Sequence, residues 1–192
     1  MLDSSTIVTP RLVLRPVVAG DAEALHDCCY GDPEVMRYWD LPPSRDARQT
    51  TARISQSLSI DPAWHAVWVV LLKGNERPIG MMNYHHREPV AKRLEVGYAL
   101  ARSYWRQGYM AEAVRGFLQY CFDELVTHRV EALVDHRNQE SIRFTEQLGF
   151  RNEGLLRDRI CVAGEYRSLL MFALLEDEWQ ATTISRGVAV AG

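Results

Sequence analysis

The sequence predicts an α+β domain, a mixed sheet with helices packed on it. Three observations predict it: a series of strand-like segments up to Leu100, a change to helical periodicity after Gly108, and a strand–helix–hairpin order between Val130 and Leu175. The 192 residues suit one domain of ordinary size. Hydrophobic residues at 47% and charged residues at 24% are near the globular average and argue against wholesale disorder.

Thr9 to Val18 alternates, with Leu12 and Leu14 on one face and Arg11, Val13 and Arg15 on the other, so a half-buried strand is expected. Asp21 reads as near the start of a short helix and Asp32-Pro33 as the start of another. Residues 44–60 have helical composition, with Ile54 and Leu58 four apart, and Asp61-Pro62 stops them. Trp64 to Leu72 is rich in Trp, Val and Leu; after the turn Lys73-Gly74-Asn75-Glu76, Ile79 to His86 answers it as a hairpin partner. Arg93 to Leu100 alternates, Leu94, Val96, Tyr98 and Leu100 opposing Glu95, Gly97 and Ala99.

After Gly108 the apolar residues Met110, Ala113, Val114, Phe117, Leu118, Cys121 and Leu125 form one stripe of a long helix. Val130–Val134 is a short strand. Asn138 can cap a further helix that ends at Leu148-Gly149-Phe150, where glycine suits the left-handed position. Strands near Leu155–Val162 and Arg167–Leu175 flank the turn Ala163-Gly164-Glu165. The segment after Trp179 lacks hydrophobic periodicity, so residues 1–180 read as a single domain and 181–192 as a flexible tail.

A formal charge of −3 argues against a general nucleic-acid binder. The longest wholly apolar stretch, Val67–Leu72, is too short to cross a bilayer, so no membrane partner is expected. The first residues carry no basic cap followed by an apolar run, the pattern of a secretory signal. Cys28, Cys29, Cys121 and Cys161 lack metal-pair spacing, which suits a reduced, cytoplasmic protein. His85 and His86 are adjacent on a strand and should point to opposite faces; with no HExxH pattern, no metal site is expected.

The most informative segment is Tyr104-Trp105-Arg106-Gln107-Gly108-Tyr109-Met110-Ala111-Glu112-Ala113. It joins a strand end to a helix start, where first-turn N–H groups lack internal partners and carry the positive end of the helix dipole. A glycine there lets an anion approach the main chain, so the loop can cradle a phosphate or pyrophosphate, with Arg106 as a fixed charge beside it. Gly108 can equally be a plain turn residue. Neither GxxxxGK[ST] nor GxGxxG occurs, which disfavours a nucleoside triphosphate or NAD.

Glu95-Val96-Gly97-Tyr98, then Tyr104 to Ala113, then Asn138-x-x-Ser141 running to Leu148-Gly149-Phe150, resemble the GNAT N-acetyltransferases. Thr9-Pro10-Arg11-Leu12-Val13-Leu14-Arg15 is similar to the first strand of the RimJ/RimL-like branch, and the likeness runs in order from about Thr9 to Trp179. The resemblance implies an α/β/α-type fold: a mostly antiparallel sheet of about seven strands with a splayed strand pair, and about four helices. It also implies acetyl-CoA as acyl donor and a direct transfer to a primary amine. The acceptor would be a peptide N-terminus or a small amine, and a homodimer stays open.

Position by position, the resemblance places the pyrophosphate on main-chain amides of Trp105, Arg106, Gln107, Gly108, Tyr109, Met110 and Ala111. Arg106 and Met110 stand where the branch often has glycine and a small residue. The pantetheine arm would pair with the main chain of Tyr98, Ala99 and Leu100, in a wedge opened against Val130–Val134, and would touch Asn138. Glu95 is the candidate base for the amine, and Ser141 the candidate hydrogen-bond or water-relay partner of the leaving thiolate. Many relatives carry a tyrosine where this chain has Thr145. Without the family, Glu95 reads as a solvent-facing strand residue, Asn138 as a cap, and Ser141 as a first-turn serine. Glu112 reads as structural, favoured by the dipole. The acceptor pocket would draw on Tyr38-Trp39-Asp40, the region around Trp64, the two histidines and the turn before Tyr166, although most of these read equally as ordinary packing. The alternative is a non-catalytic acyl-CoA-binding sensor that keeps the loop and dispenses with Glu95 and Ser141.

Overall fold

The structure, a computed structural model, describes residues 5–185. One eight-stranded sheet runs through it in the order β1-β2-β3-β4-β5-β6-β8-β7. The strands are β1 (Ile7–Val8), β2 (Leu12–Pro16), β3 (Ala66–Leu72), β4 (Pro78–Glu88), β5 (Arg93–Leu100), β6 (Arg129–Asp135), β7 (Arg151–Val162) and β8 (Glu165–Leu175). Every neighbouring pair is antiparallel except β5 and β6, which are parallel. The α+β class is as expected; the strand beyond the expected seven is the two-residue β1.

Five α-helices cover the sheet among the described residues: α1 (Ala22–Leu25), α2 (Ala47–Leu58), α3 (Tyr109–Asp123), α4 (Gln139–Leu148) and α5 (Glu176–Ser185). Alternation along β3 shows how both faces are filled. Trp68 and Val70 join a core with Phe117 and Leu118 of α3, while Val67, Val69 and Leu71 join a second core with Leu25 and Ile54 on the opposite face. A strand buried on both faces reads as a continuous apolar run, which is why Val67–Leu72 shows no alternation in hydropathy.

Two expectations fail. No helix begins at Asp32-Pro33; residues 33–41 form turns and bends. Asp32 instead accepts hydrogen bonds from the Glu34 N–H at 2.9 Å and from Arg102 Nε at 2.7 Å, which pin it as a turn residue. The expected tail from residue 181 is helical to Ser185, started by Glu176, Asp177 and Glu178 in the favourable first turn. Its remainder, 186–192, lies outside the described residues. No helix among the described residues is long and apolar enough to cross a membrane.

Candidate active site

The site begins where the sheet opens. β5 and β6 pair through Arg93↔Arg129, Leu94↔Val130 and Glu95↔Glu131, and there the pairing stops. Both strands run on, to Leu100 and to Asp135. β5 keeps its other edge on β4 as far as Gly80↔Leu100, and β6 keeps its other edge on β8 as far as Asp135↔Leu169. Main-chain groups of 96–100 and 132–135 therefore face each other across a gap.

Trp105 to Ala111 lies at the open end of this gap. Gly108 holds φ +78°, a left-handed conformation that suits glycine, and turns the chain into α3. Arg106 is also left-handed at φ +59° and largely exposed; its guanidinium reaches Glu140 of α4 at 2.9 Å. Trp105 Nε1 donates to the Leu100 carbonyl at 2.6 Å, tying the loop to the end of β5, and Gln107 donates to the Ser103 carbonyl at 2.7 Å. Met110 packs against the core of α3. Its bulk is thus taken up by the core.

Glu112 fastens this helix start to the first strand. It accepts from Thr9 Oγ1 at 2.6 Å, from the Arg11 N–H at 2.7 Å and from Arg11 Nε at 2.6 Å, while Arg11 also donates to the Gln107 carbonyl at 3.1 Å. Burial would raise the Glu112 pKa, but these donors outweigh it and hold the carboxyl below its ordinary value. The Thr9-x-Arg11 pattern thus acts on the loop, a role that sequence alone did not disclose.

Glu95 marks the closed end. Its side chain is 12% exposed, with Oε1 3.0 Å from His85 Nε2 and Oε2 3.3 Å from His86 Nδ1. Burial would raise its pKa, but the hydrogen bonds and charge of His85 and then His86 outweigh that and keep it low. Both histidines reach one carboxylate because β4 bulges between His85 and Glu88, with His86 at φ +49°. Strict alternation fails there, which corrects the expectation of opposite faces. The three donor groups lie within 4.8 Å of one another, and hydrogen bonding of both carboxylate oxygens accounts for the cluster.

On the other face of β5, Tyr98 reaches from the strand to α4. Its hydroxyl is 3.1 Å from Ser141 Oγ and 3.2 Å from Thr145 Oγ1, and its ring meets Phe144 edge-on at 5.3 Å. Asn138 caps α4, its Oδ1 accepting from the Ser141 N–H at 3.1 Å. Ala99 faces the second core.

Asn83 was missed by sequence reasoning. It faces Gly97 across the β4–β5 ladder, and its Oδ1 is buried without a hydrogen-bond partner. A Cβ on Gly97 would sit 2.6 Å from that oxygen. The signal was a lone amide in the apolar run Ile79-Gly80-Met81-Met82. Of the expected acceptor residues, Trp64 and Tyr166 are exposed, at 52% and 70%. Arg167 of β8 donates to the carbonyls of Arg37 at 3.1 Å and Trp39 at 3.2 Å, fixing the turn region beside the hairpin.

A helix N-terminus led by glycine, facing a gap between parallel strands, defines a protein that can take an extended ligand with an anionic end. Comparison with known proteins gives the family. The family model for the acetyltransferase (GNAT) domain matches residues 11–151. The uncharacterized N-acetyltransferase p20 of Bacillus licheniformis is 34% identical over 177 residues, covering 91% of this chain and 98% of its own. The [ribosomal protein uS5]-alanine N-acetyltransferase of Escherichia coli (strain K12) is 25% identical over 180 residues, covering 90% and 92%. A crystal structure of a GNAT-family acetyltransferase from Bacillus anthracis superposes with TM-score 0.78 at 26% identity, covering 90% of this chain and 99% of that one. The chain belongs to the GNAT acetyltransferase family. Acetyl transfer to amines is general for that family, and its members use acetyl-CoA.

Proposed function

We propose that this chain transfers an acetyl group from acetyl-CoA directly to a primary amine, that of a peptide N-terminus or of a small molecule. The observation that carries the reading is the stop in β5–β6 pairing after Glu95↔Glu131, at the foot of a gap whose mouth is the Gly108 helix start. First-turn amides of α3, with Gly108 left-handed ahead of them, hold the pyrophosphate. The chain offers the pantetheine arm the exposed strand edge at Tyr98–Leu100 as a further strand would be offered one. Asn138, its carbonyl oxygen used as a cap, keeps its amide hydrogens for the arm.

Within that frame Glu95 takes the proton from the amine, directly or through water. An amine with a pKa between about 8 and about 10.4 must lose a proton to attack. A main-chain N–H of β5 stabilises the oxyanion, a contribution of roughly 3 kcal/mol for a well-placed donor. As the C–S bond breaks, its electron pair goes to sulfur, and Ser141 donates a hydrogen bond to the thiolate. Resemblance to the alanine N-acetyltransferase supports an α-amino acceptor.

Calorimetric titration with acetyl-CoA, followed by thiol release over N-terminal peptides, polyamines, aminoglycosides and amino acids, tests the reading. Saturable binding and thiol release with at least one amine are expected. Binding without release would make the chain a sensor. Gly108→Pro serves as the control: proline fixes φ near −65°, incompatible with +78°, so acetyl-CoA affinity should fall by at least about tenfold.

A further inference from the structure

We propose that Tyr98 is the proton source for the leaving thiolate, delivering through Ser141. This rests on the transferase reading and deepens it. Three observations converge on the phenol. It lies on the part of β5 that has left β6, so it stands beside the gap. It belongs to the face of β5 opposite Glu95, since strand residues alternate. And its hydroxyl sits between two α4 hydroxyls, Ser141 Oγ at 3.1 Å and Thr145 Oγ1 at 3.2 Å.

Chemistry separates the three hydroxyls. Serine and threonine are far weaker acids than a phenol, whose pKa is about 10, close to that of a thiol. A serine hydroxyl facing a thiolate gives up its proton readily only if another is supplied to the same oxygen. Tyr98 is placed to supply it. Thr145 fixes the phenol by taking the other side of its oxygen. Burial pushes the Tyr98 pKa up, against the hydrogen bonds of Ser141 and Thr145, so the hydroxyl stays protonated at neutral pH.

The step balances as follows. The carbon–sulfur bond of the tetrahedral adduct breaks and its electron pair goes to sulfur. The Ser141 proton moves to sulfur and the Tyr98 proton to Ser141 Oγ. The phenolate regains a proton from solvent, to which Glu95 has given the one taken from the amine. Base and acid thus work from opposite faces of one strand, so the amine enters on one side and the thiol departs on the other.

Three side chains of α4 face the phenol, Ser141, Phe144 and Thr145, and Met82 of β4 is its ladder partner. No charged group contributes to its ionisation. A change in its acidity is therefore readable in a pH profile.

The test uses Tyr98→Phe and 3-fluorotyrosine at position 98, which keeps the hydroxyl and lowers its pKa. With acetyl-CoA and the best amine from the screen, Tyr98→Phe should lower kcat by about ten- to a hundredfold while KM for acetyl-CoA changes less than about threefold. The fluorinated enzyme should retain turnover that Tyr98→Phe loses and move the alkaline limb of its kcat profile to lower pH. A Tyr98→Phe kcat equal to wild type would overturn the assignment, and so would an alkaline limb that fluorination leaves in place. If Tyr98→Phe fails to fold, the fluorinated enzyme decides alone. Absence of thiol release by the wild type would overturn the transferase reading, and this assignment with it. Normal wild-type turnover with either negative result removes only the role of Tyr98.

Discussion

Glu95 is a carboxylate whose two oxygens each have an imidazole nitrogen within 3.3 Å. Because those contacts hold its pKa below the ordinary carboxylate range, it is ionised across neutral pH, and the acid side of the rate profile falls to the amine. The acid limb of kcat/KM should therefore track the pKa of the acceptor across an amine series, and Glu95→Gln should lower kcat by about a hundredfold with acetyl-CoA affinity unchanged. Full activity of Glu95→Gln at pH 7 would assign the base elsewhere. Gly97 makes a second test at this scale. Its missing side chain is the space that Asn83 Oδ1 occupies, 2.6 Å from where a Cβ would be. Gly97→Ala should displace the Asn83 amide and reduce turnover, and Gly97→Ala with Asn83→Ala should recover fold stability in urea melts. Equal stability of the single and double variants would show that the two positions are not coupled.

At the level of elements, Glu112 buckles the start of α3 to the first strand, so the candidate phosphate cradle depends on a residue whose hydrogen bonds run to Thr9 and Arg11. Removing its charge with Glu112→Gln should cost about 1.5–3 kcal/mol, the range for hydrogen bonds to charged groups, measured by urea unfolding. The folded pKa is lowered, so this stabilisation is present above the unfolded carboxylate pKa, about 4.3, and is lost as pH falls through the folded value. His65 gives the opposite residue type the same slope. Burial, then the charges of His85 and His86, push its pKa down to about 4. An unfolded histidine titrates near 6.5, so between about 6.5 and about 4 the unfolded chain binds a proton that the folded chain refuses. Stability should drop over that window as pH falls, and His65→Gln should flatten that part of the drop in unfolding curves at pH 7 and pH 5.

These elements also show what the sequence disclosed. The α3 stripe was legible because a helix buries residues at fixed spacing: Ala113, Val114, Phe117, Leu118 and Cys121 are all buried as periodicity required. Asn138 was legible as a cap because capping is local. The histidine pair was misread because a bulge depends on the partner strand, and pairing register is absent from a single strand's pattern. Tyr98, Ser141 and Thr145 meet across 43 and 47 residues of chain, a separation that no local rule reports. Asp32 failed for a related reason: Arg102, its partner, lies 70 residues away.

Across the whole molecule, the parting strands predict where acetyl-CoA will be felt. Amides of 96–100 and 132–135 that lack a strand across the gap should exchange faster than those of Leu94 and Val130, and acetyl-CoA should slow the 96–100 set most. Hydrogen exchange with mass detection reads this directly, and protection confined to other segments would remove the arm from the gap. A ligand at a hundred times its Kd adds about 2.7 kcal/mol of stability, so the same complex should melt several degrees higher.

The short β5–β6 junction has a mechanical consequence. Main-chain ladders weld β1 to β5 into one plate and β6, β8 and β7 into another, whereas only three residue pairs join the plates. Beyond them the seam is carried by the core beneath it, in which Leu94 and Val130, both wholly buried and opposite each other, join residues of both plates and of α3. A coenzyme lodged between the plates would act as a pin: seated, it would bridge two edges that the sheet itself leaves unjoined, adding main-chain contacts to the seam where the shared core supplies only side chains.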